Sequence, residues 1–417
     1  SADIFAVTSQ ADGKILIGGN FSNVAGSSRA YLARLQVDGR IDSSFNPGAN
    51  TTVSALAVQP DGRIVVGGSF TTIAGSPRVR LARLTADGGI DPTFNAGADT
   101  SVLVVTLQPD GKILIGGIFG LVNNAPRTVL ARLNADGSLD ATFSPLFSTS
   151  AGTQLRIDAI TLQPDGRILV GGSFTTINGT ARAGLARLAA DGSFDATFNI
   201  GSGVGFAGQS VGAIVVQADG RVLIGGSFTT FAGATRSRLA RVSATGTLDE
   251  QVGVIGPSSI VRDIVLQSDG KFLVGGAFNA VGSDSCNNLA RFNADGSFDA
   301  SFRIDVVGAN GVSAPGITEL HSPTPGQVII GGTFSSVAGQ PRNGLARLGS
   351  PPPVIATSPR GQTLATGQAA ELSVAALGLG LSYQWHRNGA PISGATNSTI
   401  LLASATAADS GSYTVTV

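Results

Sequence analysis

The sequence predicts an all-β fold: a seven-bladed β-propeller followed by a C-terminal immunoglobulin-like β-sandwich that lacks strand G. Three observations carry this. A Gly-Gly-x-Phe unit recurs seven times at a spacing near 50 residues, the period of four-stranded blades. Short β-rich runs such as Lys14-Ile15-Leu16-Ile17 and Arg63-Ile64-Val65-Val66 are bounded by Asp-Gly and Gly-Gly, and helical periodicity is nearly absent. At Ser350 the composition changes and the repeat stops.

The Gly-Gly pairs are Gly18-Gly19, Gly67-Gly68, Gly116-Gly117, Gly171-Gly172, Gly225-Gly226, Gly275-Gly276 and Gly331-Gly332. The Phe residues that follow are Phe21, Phe70, Phe119, Phe174, Phe228, Phe278 and Phe334. Residues 53–98 show one blade. Val53 to Gln59 alternates and reads as a first strand. Pro60-Asp61-Gly62 is a tight turn, in which Pro presets its own φ and Gly supplies a positive one. Arg63 to Phe70 is a central second strand, apolar on both faces. After a loop, Thr71 to Pro77, come a third strand, Arg78 to Leu84, a turn at Asp87-Gly88, and a short fourth strand, Ile90 to Asn95. A single blade cannot bury both its faces, whereas a closed ring of them can. The propeller is expected over residues 1–349, with blades starting near 3, 53, 102, 157, 211, 260 and 317.

The repeat resembles the delta-60 (kelch-like) family of bacterial propeller repeats. The resemblance rests on the Gln-Pro-Asp-Gly turns (Gln59–Gly62, Gln108–Gly111, Gln163–Gly166), the Gly-Gly-x-Phe strand, and the segment from Leu81-Ala82-Arg83-Leu84 through Phe94. It covers residues 1 to about 349. It implies a closed propeller in a large secreted or surface bacterial protein.

Pro351-Pro352-Pro353 makes residues 350–353 a stiff linker. Over 354–417 the pattern resembles immunoglobulin-like domains, with Glu371 to Ala375 as strand B, Tyr383-Gln384-Trp385 as strand C, and Asp409 to Val415 as a tyrosine-corner segment. In the disulfide form of that fold, cysteines would stand at Val374 and Val415; here the core is apolar and unbridged.

Composition narrows the function. The formal net charge is +0, so the basic footprint of a nucleic-acid binder is missing. No apolar run reaches the ~18 residues of a spanning helix, so membrane insertion is not expected. Cys286 is the single cysteine and no Met is present, even at position 1, so the chain is expected to be a processed or cut product.

A search for chemistry returns no catalytic, cofactor-binding or metal-ligating residue. His321 and His386 lie in different domains without partners at zinc-site spacing. Cys286 stands where other repeats carry Arg29, Arg78, Arg127, Arg182, Arg236 and Arg342, and reads as a packed small residue. Turns such as Asn134 to Asp140 and Asn293 to Asp299 raise the question of Ca²⁺. Their first position varies (Gln36, Thr85, Ala189, Ser243), and they read instead as hairpin turns with a structural Asp. The repeat is broken at Phe147 to Arg156, Gly201 to Ser210, Asp284 to Asn288 and Asp305 to Pro315, and none of these breaks supplies an acid–base pair.

The expected function is therefore a non-catalytic structural or interaction module of a secreted or cell-surface bacterial protein. Its partners would be a surface protein or glycan, or other copies joined through open strand edges. The alternative is a glycan-binding or glycan-processing propeller, with or without Ca²⁺. Two structural expectations accompany this. Arg34, Arg83, Arg132, Arg187, Arg241, Arg291 and Arg347 should bond to Asp42, Asp91, Asp140, Asp195, Asp249 and Asp299 or to nearby backbone carbonyls, because a buried charge requires a partner. Blade seven should lack its fourth strand, and the tail its strand G, within this chain.

Overall fold

The computed structural model describes residues 3–205, 208–308, 316–349, 354–377 and 383–417. It contains two compact units, Ser1–Arg347 and Leu348–Val417.

The first unit is a ring of seven antiparallel blades. In blade two, Val53–Val58 pairs with Ile64–Gly68, which pairs with Leu81–Leu84. The fourth strand expected at Ile90 to Asn95 is reduced to a single bridge, Leu84 to Ile90. The reason lies in the next residue. The Asp91 carboxylate accepts from the Thr93 backbone N–H, and this local turn takes the chain out of the ladder. Likewise the third strand starts at Leu81 rather than Arg78, because Ser76–Pro77 pairs back on Thr72–Ile73 in an outer hairpin. The first strands of the seven blades start at Asp3, Val53, Val102, Arg156, Val211, Val261 and Gly316. In blade seven the described strands are Gly316–His321, Val328–Thr333 and Leu345–Leu348. The turn that would lead to a fourth lies outside the described residues.

The glycine pair sets the packing distances. A Cβ on the second glycine would lie about 2 Å from a backbone carbonyl at the entrance to the blade's own first strand, for example 2.2 Å from Thr52 O at Gly68 and 2.0 Å from Ser210 O at Gly226. A Cβ on the first glycine would meet the β-branched residue that opens the next blade: Val53 at Gly18, Val102 at Gly67, Val261 at Gly225 and Ile317 at Gly275. At Gly331 that residue is Ile4, so the same contact closes the ring. Thr318 Oγ1 donates to Ile4 O, Thr333 Oγ1 donates to Asp3 at 2.6 Å, and His321 Nε2 lies 2.9 Å from Ser9 Oγ across this seam. The hydrophobic clusters are likewise shared by neighbours. Leu16, Phe45 and Val53 of the first two blades belong to one, and Ile4, Ile17 and Ile329 to another. The Phe of Gly-Gly-x-Phe is buried in every blade.

The expected ion pairs form in six blades. Arg Nε meets Asp Oδ2 at 2.8–2.9 Å in Arg34–Asp42, Arg83–Asp91, Arg132–Asp140, Arg187–Asp195, Arg241–Asp249 and Arg291–Asp299. The guanidinium does more. In most blades it lies over the Phe three residues beyond its Asp, at 4.4 Å for Arg34 on Phe45 and 4.7 Å for Arg83 on Phe94. Its Nη1 reaches into the next blade: Arg34 to Ala86 O, Arg83 to Ala135 O, Arg132 to Ala190 O, Arg187 to Ala244 O and Arg241 to Ala294 O. Arg347 completes the circuit, donating to Val37 O of blade one at 2.9 Å.

In the second unit, Ala370–Ser373 pairs with Thr399–Leu402, and Gln384–Arg387 with Tyr413–Thr416. The strand expected over Glu371 to Ala375 is interrupted at Val374, beyond which Ala375–Leu377 turns to pair with Val354–Thr357. Trp385 is fully buried with Leu372 and Val374, and Val415 packs on them.

Two outcomes follow from the ion pairs. Arg83→Ala removes the closest cation from the buried Asp91, which keeps Thr93 and, at 3.4 Å, Arg63, and leaves an interblade carbonyl unpaired, so chemical denaturation should show a loss of about 1–3 kcal/mol. The six Asp carboxyls are also held below the ordinary carboxylate range. Burial pushes most of them up, but hydrogen bonds from Arg and from the residue two positions on outweigh it, leaving Asp91 at about 2; for Asp299 the hydrogen bond from Lys271 is the strongest influence. A folded-state value below the unfolded one adds stability above about pH 4, and that stability drains away as pH falls toward about pH 2. Urea midpoints measured across that window should fall steeply, and more gently in Asp91→Asn.

Candidate functional site

Antiparallel pairing sorts the loops of the ring onto two ends. Turns from first to second strand and from third to fourth position lie at one end. The outer hairpins and the connectors between blades lie at the other. The turn end is uniform and polar. Gly62 closes a turn onto Gln59 O at 2.9 Å, and exposed pairs such as Arg63–Asp61 and Arg167–Asp165 repeat around it. At the connector end, each connector bridges to the hairpin of the next blade, as Ala49 does to Ile73 and Val204 to Phe231. The described parts of all four breaks in the repeat fall at this end. Residues 206–207 and 309–315, parts of two of them, lie outside the described residues. Exposed apolar side chains gather here too: Val79, Leu121, Leu146, Val254 and Ile255.

The first strands line a central channel whose wall takes residues from all seven blades and whose cavity volume is about 370 Å³. Each first strand carries a β-bulge, between Ile4 and Ala6, Val53 and Ala55, Val102 and Val104, Ile157 and Ala159, Val211 and Ala213, Val261 and Asp263, and Ile317 and Glu319. The bulged residues are Phe5, Ser54, Leu103, Asp158, Gly212, Arg262 and Thr318, and all line the channel. The next position is Ala or Val in five blades but Asp263 in blade six and Glu319 in blade seven.

Two charged groups result. Arg156 pairs with Asp158 at 2.9 Å, and the charge of Arg262 is felt at Asp158. Burial raises the Asp158 carboxyl, against the pull of both arginines. On the neighbouring strands of blades six and seven, Asp263 accepts from Ile264 N at 2.8 Å and Leu320 N at 2.7 Å, and Glu319 stands beside it with no donor among the described residues. Both retain some water contact through the channel, yet strands enclose them. Desolvation pushes Asp263 up to about 7 despite its two backbone donors, and desolvation with the Asp263 charge pushes Glu319 well above the usual carboxylate range. Two such carboxyls share protons.

The residues singled out from sequence lie elsewhere. His321 is the last residue of its strand, bonded to Ser9 across the seam, and burial lowers its basicity. His386 sits in the second unit. Cys286 is buried, donates through Sγ to Leu289 O, and its thiol is pushed up to about 11, chiefly by burial, so it is a poor nucleophile at neutral pH. In the turn considered for Ca²⁺, Asp136 Oδ1 accepts from the Ser138 N–H and hydroxyl, while Asp140 is held by Arg132, Lys112 and Thr142. Among the described residues no cluster of three or more His, Cys, Asp or Glu could hold a metal, and no helix is long and apolar enough to cross a membrane. Sequence reasoning sought repeat breaks in loops and missed the channel charges. Their signal was there: aligned by the Gly-Gly pairs, Asp263 and Glu319 replace an alanine-rich position.

The sign of the channel pair's effect on stability opposes that of the blade aspartates. A carboxyl whose folded value is raised stabilises the fold fully below its unfolded value, and that contribution is lost as pH climbs through the folded one. Between about pH 4 and pH 8 the native chain should therefore lose melting temperature, and Glu319→Gln should flatten that slope while matching the native chain near pH 4.

The chain is similar to several solved propellers. The extracellular domain of the one-component system BT4673 of B. thetaiotaomicron matches at 14% identity and TM-score 0.50, over 81% of this chain and 38% of that one. The extracellular domain of the hybrid two-component system BT3049 of the same organism matches at 14% and 0.50, over 94% and 47%. A catalytically inactive variant of virginiamycin B lyase from Staphylococcus aureus, crystallised with quinupristin, matches at 13% and 0.47, over 79% and 92%. This chain spans less than half the length of the first two. No curated protein matches it. The model of a β-propeller domain of unknown function, DUF5122, matches seven times, at residues 10–45, 59–94, 108–143, 163–198, 217–251, 267–302 and 326–350. These matches take in more than half of the sequence and one copy falls in every blade, so the chain belongs to the DUF5122 β-propeller family.

Proposed function

We propose that this chain is a non-catalytic interaction module of a secreted or cell-surface bacterial protein, and that the connector end of the ring is its recognition surface. One observation carries the reading. The described part of every break in the repeat falls at the connector end, together with the exposed Val79, Leu121, Leu146, Val254 and Ile255, while the opposite end keeps its turn lengths and varies only in single residues. A scaffold held by recurring junctions and varied at one end has the layout of a binding platform.

An extracellular setting agrees with the two sensor ectodomains that share the fold. The delta-60 resemblance of the repeat points the same way. We read the second unit as an immunoglobulin-like spacer. Trp385 fills its core, and the Tyr413 hydroxyl donates to Asp409 O at 2.8 Å in the manner of a tyrosine corner. The partner is a surface protein or a glycan.

The test is an array of glycans and extracellular matrix proteins probed with the intact chain and two variants. A V254D/I255D double variant at the connector end should lose about tenfold or more in affinity, and Arg40→Glu at the turn end should bind like the native chain. Full binding by the double variant, or turnover of a captured ligand, would refute the proposal.

A further inference from the structure

We propose that the seam between blades seven and one is a docking site for an extended segment of a partner polypeptide, of the form Ile/Leu/Phe-Asp-x-Ser/Thr-Phe. The proposal does not rest on what the connector end binds, because the seam's arginine junction lies beside the Val37 turn, at the opposite end of the ring.

The other six junctions show what such a place takes. In each, the residue before the junction Asp bridges to the end of the third strand, as Ile90 does to Leu84 and Phe298 to Phe292. The Asp holds the arginine, and in five of the six the Phe three residues on lies under the guanidinium at 4.4–4.7 Å. The third strand of blade seven, Leu345–Leu348, has no such bridge among the described residues. Arg347 reaches Val37 O at 2.9 Å but has no carboxylate or ring partner among the described residues, and it is exposed where its counterparts in the first five blades are buried. Leu345 is half-buried, whereas its counterpart is buried in all six other blades. A Cβ on Gly88 would meet Phe45 at 3.0 Å, but one on Gly39, the same place in blade one, would meet no described atom within 4 Å.

The occupant follows from the same comparison. Eight residues beyond Arg347, where the other blades carry Asp, stands Ile355, which pairs with Ala376 in the second unit. Residues 348–417 contain no Phe. The motif occurs five times in the sequence, and each copy already holds the arginine of its own blade. Neither the tail nor a second copy of this chain therefore has one to spare. A partner segment of that form supplies three things at once. Its backbone pairs with the open strand edge, its carboxylate meets the Arg347 guanidinium, and its ring packs between that guanidinium and Gly39. A segment without the Asp leaves the arginine's charge unanswered, and one without the Phe leaves the apolar space beneath it unfilled.

The experiment is fluorescence anisotropy of a labelled peptide with the sequence of residues 137–144, Gly-Ser-Leu-Asp-Ala-Thr-Phe-Ser, titrated with the intact chain. The peptide should bind one to one. Versions of it carrying Asp140→Asn or Phe143→Ala should each bind about tenfold or more weakly. Arg347→Gln in the chain should weaken the parent peptide by about the same factor, with Arg347→Lys partly restoring affinity. Thermal melts establish that each chain variant is folded, and should one fail, the two altered peptides on the native chain decide the matter. A native chain that takes up no peptide overturns the proposal, and light scattering then shows whether a second copy covers the edge instead. Altered peptides, or a folded Arg347→Gln chain, that bind as tightly as the parent pair overturn it as well.

Discussion

The ring depends on how a buried guanidinium is satisfied. An arginine in a low-dielectric junction is tolerable only if its charge and its N–H groups find partners together. Here the partners come from two blades. The carboxylate and the Phe face belong to the arginine's own blade, and the carbonyl at the tip of the third turn belongs to the next. A blade that drifted from its neighbour would leave a charged group half-solvated. The junction is therefore specified by electrostatics as well as by contact between apolar faces, and it repeats with nearly fixed distances around the ring.

The same junction explains the turn sequence. In the first three blades the Phe under the guanidinium also packs against the Asp-Gly turn of the following blade. A Cβ on Gly137 would lie 2.9 Å from Phe94, and one on Gly192 would lie 2.5 Å from Phe143, with both glycines at positive φ. The glycine answers two demands at once, backbone conformation and clearance. Blade five shows the tolerance of the design. Val252 replaces the Phe, and Arg241 keeps its Asp249 pair and adds Asp295 O as an acceptor. Blade seven shows its limit. Arg347 has no Asp partner among the described residues and is exposed, yet it still makes the interblade bond to Val37.

How much could be read from the sequence depended on whether a feature repeats. The Gly-Gly pairs, the Phe positions and the Arg–Asp pairing recur, so their spacing revealed blade number, strand order and ion pairs. The fourth strand was over-read because Ile90 to Asn95 has strand-like residues, and only the side chain of Asp91 diverts the backbone after one bridge. The channel charges were missed for a different reason. A β-bulge shifts the inward-facing positions by one, so simple alternation along Val261 to Leu266 does not show that Arg262 and Asp263 both line the lumen. The same shift hides Asp158 and Glu319.

That bulge has a further consequence. Apart from Thr318, whose hydroxyl donates to Ile4 O across the seam, the residue it ejects takes no part in the ladder and none in the arginine junction, so the fold places little demand on its chemistry. Phe, Ser, Leu, Asp, Gly, Arg and Thr occupy the seven equivalent places. The lumen can thus be rewritten one position at a time while the frame around it stays fixed. In evolutionary terms, the residues that hold the frame and those that set the character of the lumen are different residues of the same strand, so point mutation can change the chemistry of the lumen without first requiring a more robust fold.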